Sequence, residues 1–334
     1  MSEFTLRQLK YFVTAAEVGT LRLAAEKLFV SPSTVSSAIT ELEQALGERL
    51  CIRRQSYGLS LTPGGEVFFR EARKVVRDVE NLRYALGRNG ELRGPLHIGC
   101  YPSLSPVFFS RVLSDFPRQH PGIDLSILEA SQDELLQRMS EGHVDLSIMY
   151  DFELPDDLEY VRLFDLRPYV LLSTEHPLAT RDAVSLTELA PEPFILMNMS
   201  PSVEHTYSVF REAGAVPHIL YQTSKPELVK SLVAKNVGYS IRLQPIGDRL
   251  GNLDRRLAML PLTPEPSALQ IVVAWPRGVR PSERAQAMLD FIVAHRRDFE
   301  FDMVEVQQWS FATASDALPP GALSSDAVAG LTAG

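Results

Sequence analysis

Residues 20–43 constrain the fold of this chain more than any other segment. The apolar side chains of the first half fall at helical i, i+3, i+4 and i+7 positions: Leu21, Ala24, Ala25 and Leu28. Phe29 and Val30 continue this apolar surface into a short turn. Ser31 then supplies an N-cap and Pro32 a first helical residue, where the missing N–H of proline costs nothing. The apolar side chains of the second half again share one face: Val35, Ile39 and Leu42. This pattern predicts a helix-turn-helix.

The opposite face of the second helix carries small hydroxyl side chains. After the capping residue Ser31, they are Ser33, Thr34, Ser36, Ser37 and Thr40. A helix fits the major groove of DNA, and short polar side chains on it reach base edges and phosphates. The segment therefore predicts binding to double-stranded DNA. Taken by itself, it is equally compatible with an amphipathic helical hairpin inside a core.

The flanking segments favour DNA binding over a plain hairpin. Residues 6–20 predict a preceding helix with one apolar face, made of Leu6, Leu9, Phe12, Val13 and Ala16. Residues 48–62 predict two short strands, the wing of a winged helix. Arg53 and Arg54 on that wing can reach backbone phosphates.

These segments resemble the N-terminal domain of LysR-type transcriptional regulators. The motifs that carry the resemblance, over residues 5–90, are LRQLKYF, LAAEKL, AITELEQALGERL and LTPGG. The resemblance implies a sensor half of the type 2 periplasmic-binding-like fold that binds a small-molecule effector. It also implies a homodimer or homotetramer that acts on operator or promoter DNA, with RNA polymerase as a further partner.

The recognition helix departs from the usual family pattern. The family usually has glutamine and then proline after the capping serine, and a basic residue after the next serine. Here these positions hold Pro32, Ser33 and Ser37. The base preference of relatives is therefore not carried over to this chain.

Composition and charge limit the class of protein. A chain of 334 residues exceeds the usual size of one domain, so two or three domains are expected. Residues 1–90 carry 13 basic and 10 acidic residues, a balance of +3. The remainder carries 20 basic and 32 acidic residues, a balance of −12, which gives the total of −9. A cationic head on an acidic body favours DNA binding by the head alone.

Several classes of protein find no support in the sequence. Apolar runs of about 18 residues and a basic-then-apolar N-terminus are absent, so we expect no membrane partner and a cytoplasmic location. Cys51 and Cys100 are expected to be buried free thiols. Hydrolase, P-loop, zincin and dinucleotide motifs are absent and the seven histidines are scattered, so we predict no catalytic residue, metal ligand or cofactor.

Residues 63–88 predict a long helix with a second apolar stripe. The stripe has a mean period of 3.5, typical of a coiled coil, and consists of Phe68, Ala72, Val75, Val79, Leu82 and Leu86. Such a stripe indicates pairing of this helix between subunits, since two-fold proteins bind palindromic half-sites. The alternative is a helix packed on its own domain.

From Leu92 onward, strands and helices alternate. The order β-α-β-α-β predicts a parallel sheet with helices on both faces, followed by a second α/β unit and a late return to the first. The fold class is thus a mainly α winged helix-turn-helix with a long linker helix, followed by a two-lobed α/β sensor. The expected boundaries are 5–62 for the DNA-binding domain (helix-turn-helix at about 22–41), 63–90 for the linker, 93–300 for the sensor (lobe 1 at 93–164 and 268–300, lobe 2 at 165–267) and 301–334 for a disordered tail.

Ligands of such sheets bind beyond the strand carboxyl ends, at helix N-termini between the lobes. The residues that this rule selects are Ser103, Ser105, Gln132, Asp133, Ser200, Ser202, Thr223, Ser224 and Arg242. For each serine, the alternative is a plain N-cap. Arg242 suggests an anionic effector, and an internal ion pair is the alternative.

We therefore expect a DNA-binding regulator controlled by a small, anionic metabolite. Two other functions stay open. One is a small-molecule binding protein whose N-terminal helices only mediate oligomerisation, and the other is a DNA-binding protein that needs no ligand.

Overall fold

The computed structural model describes residues 4–54, 58–82, 91–243 and 256–300. Within these residues, the N-terminal part has the element order of a winged helix followed by a long helix. Its elements are α1 (Leu6–Val18), α2 (Leu21–Leu28), α3 (Pro32–Leu46), β1 (Cys51–Arg54), β2 (Gly58–Leu61) and α4 (Pro63–Leu82).

Capping residues fix the ends of the head helices. Thr5 and Gln8 form a capping box at the start of α1. The Ser31 hydroxyl accepts a hydrogen bond from the Thr34 N–H at 3.1 Å, so α3 begins at Pro32 as the sequence predicts. Gly47 ends α3 with a φ of 72°, a conformation that glycine adopts at little cost.

The apolar faces of α1, α2 and α3 meet in one core, as predicted. Its members include Leu9, Phe12, Val13, Ala24, Ala25, Val35, Ile39 and Leu42. Two predictions are wrong. Leu6 is 43% exposed, because it lies in the first turn of α1, and Phe29 is 94% exposed. The N–H of Phe29 donates to the Ala25 carbonyl in a left-handed cap of α2, so its side chain leaves the apolar surface between the helices.

Hydrogen bonds attach the wing to the helices. The Glu43 carboxylate accepts from the N–H groups of Leu50 and Cys51 at 2.8 and 2.9 Å, directly before and at the start of β1. In β2, the Leu59 N–H donates to the Gly19 carbonyl at 2.7 Å. The wing strands therefore start from a fixed position relative to α3.

Helix α4 divides its apolar side chains between two faces. Phe69, Ala72 and Val76 are buried in the head core. Val75 and Leu82 are 46% and 64% exposed. The predicted stripe is therefore wrong at Phe68 and Ala72, which pack on their own domain. Leu86 lies outside the described residues.

Helix α4 also contacts the sensor. The Arg77 guanidinium donates to the Gly142 carbonyl at 3.3 Å and lies 3.5 Å from the Asp145 carboxylate. The same carboxylate accepts from the His97 N–H at 2.9 Å. A charged contact thus joins the linker helix to the sensor.

The sensor has two lobes. Lobe 1 contains a five-stranded sheet of order β4-β3-β5-β12-β6, and lobe 2 contains the sheets β10-β7-β11 and β8-β9. The elements are β3 (Gly94–Cys100), α5 (Ser105–Gln119), β4 (Ile123–Glu129), α6 (Gln132–Ser140), β5 (Leu146–Tyr150), β6 (Leu158–Leu166), β7 (Tyr169–Ser173), α7 (Leu186–Leu189), β8 (Pro193–Met197), α8 (Ser202–Glu212), β9 (His218–Thr223), α9 (Pro226–Ala234), β10 (Ser240–Arg242), β11 (Leu257–Pro261), β12 (Leu269–Pro276), α10 (Glu283–Ala294) and α11 (Arg296–Glu300).

The five-stranded sheet of lobe 1 is mixed rather than parallel, and of the described sheets in lobe 2 only β8-β9 is parallel. β3 pairs with β4 and β5 in parallel, but β12 runs antiparallel to β5 and β6. The chain enters β12 on its return from lobe 2, without the crossover helix that a parallel neighbour requires. β6 and β11 were not predicted from the sequence. In lobe 2, β7 pairs antiparallel with β10 and β11.

Both cysteines are buried thiols, as predicted, and no helix among the described residues is long and apolar enough to span a membrane. The predicted tail, 301–334, lies outside the described residues.

Candidate DNA-binding and effector-binding sites

The hydroxyl face of α3 is presented to solvent. Ser31, Ser33, Thr34 and Ser37 are exposed. The Ser31 hydroxyl lies 2.7 Å from that of Ser33 and 2.8 Å from that of Thr34. The N-terminal end of α3 therefore carries a connected group of donors and acceptors, which is the part of a recognition helix that approaches DNA bases.

Two predicted members of this face are less accessible. Ser36 and Thr40 are half-buried, and the Thr40 hydroxyl donates to the Ser36 carbonyl at 3.0 Å. Arg53 and Arg54 lie on β1, paired with Leu59 and Gly58 of β2, and their side chains lie outside the described part of the structure.

A cleft opens between the two lobes of the sensor. It measures about 480 Å³ including its open mouth. The lining residues are Tyr101, Pro102 and Ser103 from lobe 1, and Met197, Met199, Ser202, His205, Thr206, Pro226, Ile241, Arg242 and Leu243 from lobe 2 or its edge. The cleft lies where strands β3, β8 and β10 end, as the strand-end rule predicts.

Arg242 brings a cationic guanidinium into this cleft. Its Nη1 atom is buried and has no hydrogen-bond partner among the described residues. Burial raises the pKa of the phenols of Tyr101, Tyr150 and Tyr169, which face this cation, so they are neutral. The predicted alternative, an ion pair with Asp or Glu, is not formed within the described ranges.

Hydroxyl groups connect the walls of the cleft. The Tyr101 hydroxyl of lobe 1 lies 2.9 Å from the Ser202 hydroxyl of lobe 2. The Ser103 hydroxyl lies 3.1 Å from that of Tyr150, whose ring contacts the Tyr101 ring edge-on at 5.3 Å. Each of these hydroxyls can donate or accept, so the cleft can hydrogen-bond a polar ligand next to Arg242.

His205 adds an uncharged imidazole to the cleft wall. Burial lowers its pKa to about 4, so the ring is neutral near pH 7. The ring packs edge-on against Phe152 of lobe 1 at 5.6 Å between centroids. The positive charge of the cleft is therefore concentrated on Arg242.

The structure brings together Ser103, Ser202 and Arg242, and places the other predicted residues elsewhere. The Ser105 hydroxyl is buried and donates to the Pro102 carbonyl. Gln132 is also buried, and its side chain donates to the Phe152 carbonyl at 3.0 Å.

Further predicted residues join the lobes or close a turn. The Gln132 N–H donates to the Ser200 carbonyl, and the Ser200 hydroxyl donates to Asp133 at 2.9 Å. Thr223 accepts from the Lys225 N–H. These residues lie outside the lining of the cleft.

The N-cap interpretation fails for these serines. The N-caps of α5, α8 and α9 are Leu104, Pro201 and Lys225, and none makes a side-chain capping bond. At α5 the N–H groups of Ser105 and Val107 are already bonded within the chain. The predicted supply of free N–H donors is therefore wrong at α5, where Ser103 contributes its hydroxyl instead.

The apolar wall and three polar members of the lining, Tyr101, His205 and Thr206, were not predicted from the sequence. Tyr101 directly follows the last residue of β3, so the strand-end rule could have selected it. His205 and Thr206 lie one turn inside α8, where that rule does not reach. In the described residues, no three His, Cys, Asp or Glu side chains form a group suited to a metal.

Comparison with known proteins identifies this arrangement. A family model described as LysR substrate binding domain matches residues 89–297, and one described as bacterial regulatory helix-turn-helix protein, lysR family, matches residues 6–66. The chain belongs to the LysR family. LysR-family proteins are transcriptional regulators that bind DNA and small-molecule effectors and form oligomers.

Individual relatives agree with this assignment. The uncharacterized HTH-type transcriptional regulator YvbU of Bacillus subtilis is 30% identical to this LysR-family chain. The match covers 71% of this chain and 80% of YvbU. A hydrogen peroxide-inducible genes activator of Pectobacterium carotovorum is 29% identical over 71% of this chain and 78% of its own. The crystal structure of HinK, a LysR family regulator from Pseudomonas aeruginosa, superposes with a TM-score of 0.58 at 29% identity, covering 88% of this chain and 99% of HinK.

Proposed function

We propose that this LysR-family regulator reads operator DNA with α3 and the wing, and that a small carboxylate-bearing metabolite in the cleft changes its action on transcription. The observation that carries the ligand class is the buried Arg242 nitrogen without a partner in the described residues. A carboxylate offers oxygens that satisfy a guanidinium at short range.

The cleft supports a ligand with one charged end and an apolar body. Besides Arg242, lobe 2 and its edge line the cleft with apolar side chains, among them Met197, Met199, Ile241 and Leu243. Thioether side chains adapt to irregular shapes, which suits a wall that closes on a small molecule. The hydroxyls of Tyr101 and Ser202 then supply orientation.

For DNA, support comes from the exposed hydroxyls of α3. Ser31, Ser33, Thr34 and Ser37 form the accessible part of the predicted contact surface, and Ser36 and Thr40 its half-buried edge. Arg53 and Arg54 are proposed to hold phosphates from the wing. One head contacts few base pairs, so we propose a dimer through the outer face of α4, with a second contact between sensors giving a tetramer.

Replacing Arg53 and Arg54 by Ala tests the wing. Affinity for every duplex should fall, and the salt dependence should flatten by roughly one unit per lost phosphate contact. The pair Arg118→Ala and Arg297→Ala, two exposed sensor arginines, is the matched control and should leave both quantities unchanged. Ser37→Ala should instead alter which bases are tolerated in selection from random duplexes. An unchanged salt slope in the wing variant contradicts the assignment.

Arg242→Met tests the effector site. Short mono- and dicarboxylates are screened for those that raise the melting temperature of the parent chain. The carboxylates that stabilise the parent should not raise the melting temperature of Arg242→Met. They should still raise that of Arg181→Met, in which the replaced arginine pairs with Glu188 at the surface of lobe 2. DNA binding without ligand should be the same in all three proteins. Equal stabilisation of Arg242→Met and parent would show that Arg242 is structural.

A further inference from the structure

Phe29 is the most exposed large apolar side chain in the described part of the chain. It lies in the turn between α2 and α3 and is 94% accessible to solvent. Its φ of 55° belongs to the left-handed region, which bulky residues rarely adopt. Hydrogen bonds from its N–H to the Ala25 and Glu26 carbonyls hold this conformation in place.

The described structure gives this ring no internal role. Glycine or asparagine adopts a left-handed backbone at lower cost than phenylalanine. The exposed ring also buries almost no apolar surface against the head, so packing does not offset that cost. A large apolar side chain on a strained and exposed turn indicates a contact made outside the chain.

The position of Phe29 indicates which molecule makes this contact. Phe29 precedes the capping residue Ser31 by two positions, and the exposed hydroxyls of Ser33 and Thr34 follow within α3. The N-terminal end of a recognition helix is the part that enters the major groove. The ring is therefore continuous with the surface that we assign to DNA.

We propose that the Phe29 ring packs on an apolar part of duplex DNA at the edge of the major groove. The proposal rests on the DNA-binding function proposed above. A duplex offers two such parts near this edge, the C5-methyl group of thymine and the deoxyribose. Contact with the methyl group selects thymine at one position, whereas contact with the sugar strengthens binding to every sequence.

Three full-length variants separate the ring from its backbone. Phe29→Asn removes the ring and keeps a residue that tolerates the left-handed turn. Phe29→Tyr keeps a ring at the same position. Val216→Asn removes a valine of the sensor that is 81% exposed and is the matched control. The probe is the duplex that the parent selects from a random pool, compared with the same duplex carrying deoxyuridine in place of thymine.

Phe29→Asn should bind the selected duplex about tenfold more weakly than the parent, as expected for one lost apolar contact. Its salt slope should not change, because no charge is removed. Phe29→Tyr and Val216→Asn should bind as the parent does. If the thymine methyl group is the contact, deoxyuridine should weaken binding by the parent but not by Phe29→Asn. If the deoxyribose is the contact, deoxyuridine should weaken binding by neither protein.

Two results overturn the inference while leaving the DNA-binding function intact. One is parent-like binding by Phe29→Asn, and the other is an equal loss in Phe29→Tyr, which would show that an aromatic ring at this position does not account for the binding. A parent chain that selects no duplex would overturn the DNA-binding function itself, and the role of Phe29 with it.

Discussion

The neutral state of His205 makes the stability of the sensor depend on pH in a defined direction. Burial lowers the pKa of this imidazole from 6.5 to about 4 in the folded chain. Between these values the unfolded chain binds a proton that the folded chain does not bind. Stability contributed by His205 is therefore present above pH 6.5 and is lost as the pH falls toward 4.

The size of this effect follows from the two pKa values. At about pH 5, protonation favours the unfolded over the folded form by a factor of about 30, which corresponds to about 2 kcal/mol. At about pH 7.5 the same calculation gives nearly zero. The side chain is only 6% exposed, so solvent screening does not remove the effect. Protonation would also place a second cation near Arg242 and disturb the contact between His205 and Phe152.

Urea unfolding of the parent and His205→Gln at these two pH values measures the effect. Trp275 lies on β12 of lobe 1, so tryptophan fluorescence reports unfolding of the sensor. Glutamine has no charge at either pH, so the variant should lose about 2 kcal/mol less than the parent on acidification. Because the comparison is between two pH values, any uniform destabilisation by the substitution cancels. Equal losses in parent and variant would refute the argument that His205 is held neutral by burial.

Two further predictions concern assembly and redox chemistry. Val79→Asp should lower the molar mass measured by light scattering, because burying a polar group without a partner in a helix interface costs roughly 2–7 kcal/mol. Glu80→Asp, at an exposed position of α4, is the control and should keep the parent mass. An unchanged mass in Val79→Asp contradicts pairing through this face. Burial raises the pKa of the Cys100 thiol well above its usual range, so in the folded chain it should react with peroxide or a disulfide reagent far more slowly than in urea. Rapid oxidation of the folded chain at Cys100, followed by mass spectrometry, would contradict this.

Local signals in the sequence were sufficient for the DNA-binding head. Ser31, Pro32 and Gly47 fix the ends of α3 through cap chemistry that acts within a few residues, so the sequence pattern alone places that helix. Phe29 departs from the prediction for a related reason. Apolar periodicity marks a residue as buried, but the left-handed cap at the end of α2 turns this side chain outward.

The cleft was only partly predictable because it depends on contacts distant in sequence. The strand-end rule found Ser103, Ser202 and Arg242, since each lies at or just beyond the end of a strand. The same rule selected Gln132 and Ser200, which the fold uses for hydrogen bonds between the lobes. Whether a polar side chain at a strand end lines the cleft or joins its walls depends on how the lobes meet, and no local pattern encodes that.

Strand β5 connects the ligand cleft with the linker helix. Asp145, directly before β5, contacts Arg77 of α4, and Tyr150, its last residue, lies against Ser103 in the cleft wall. The five residues of the strand span roughly 17 Å. Leu146, Ser147 and Ile148 pair with β3, and Ser147 to Tyr150 pair with β12, so the strand is held within the sheet. A displacement of Tyr150 is therefore expected to move β5 and, with it, Asp145, which contacts Arg77. In the dimer through α4 that we propose, filling the cleft would change the separation of the two α3 helices, and with it the half-site spacing that the protein prefers.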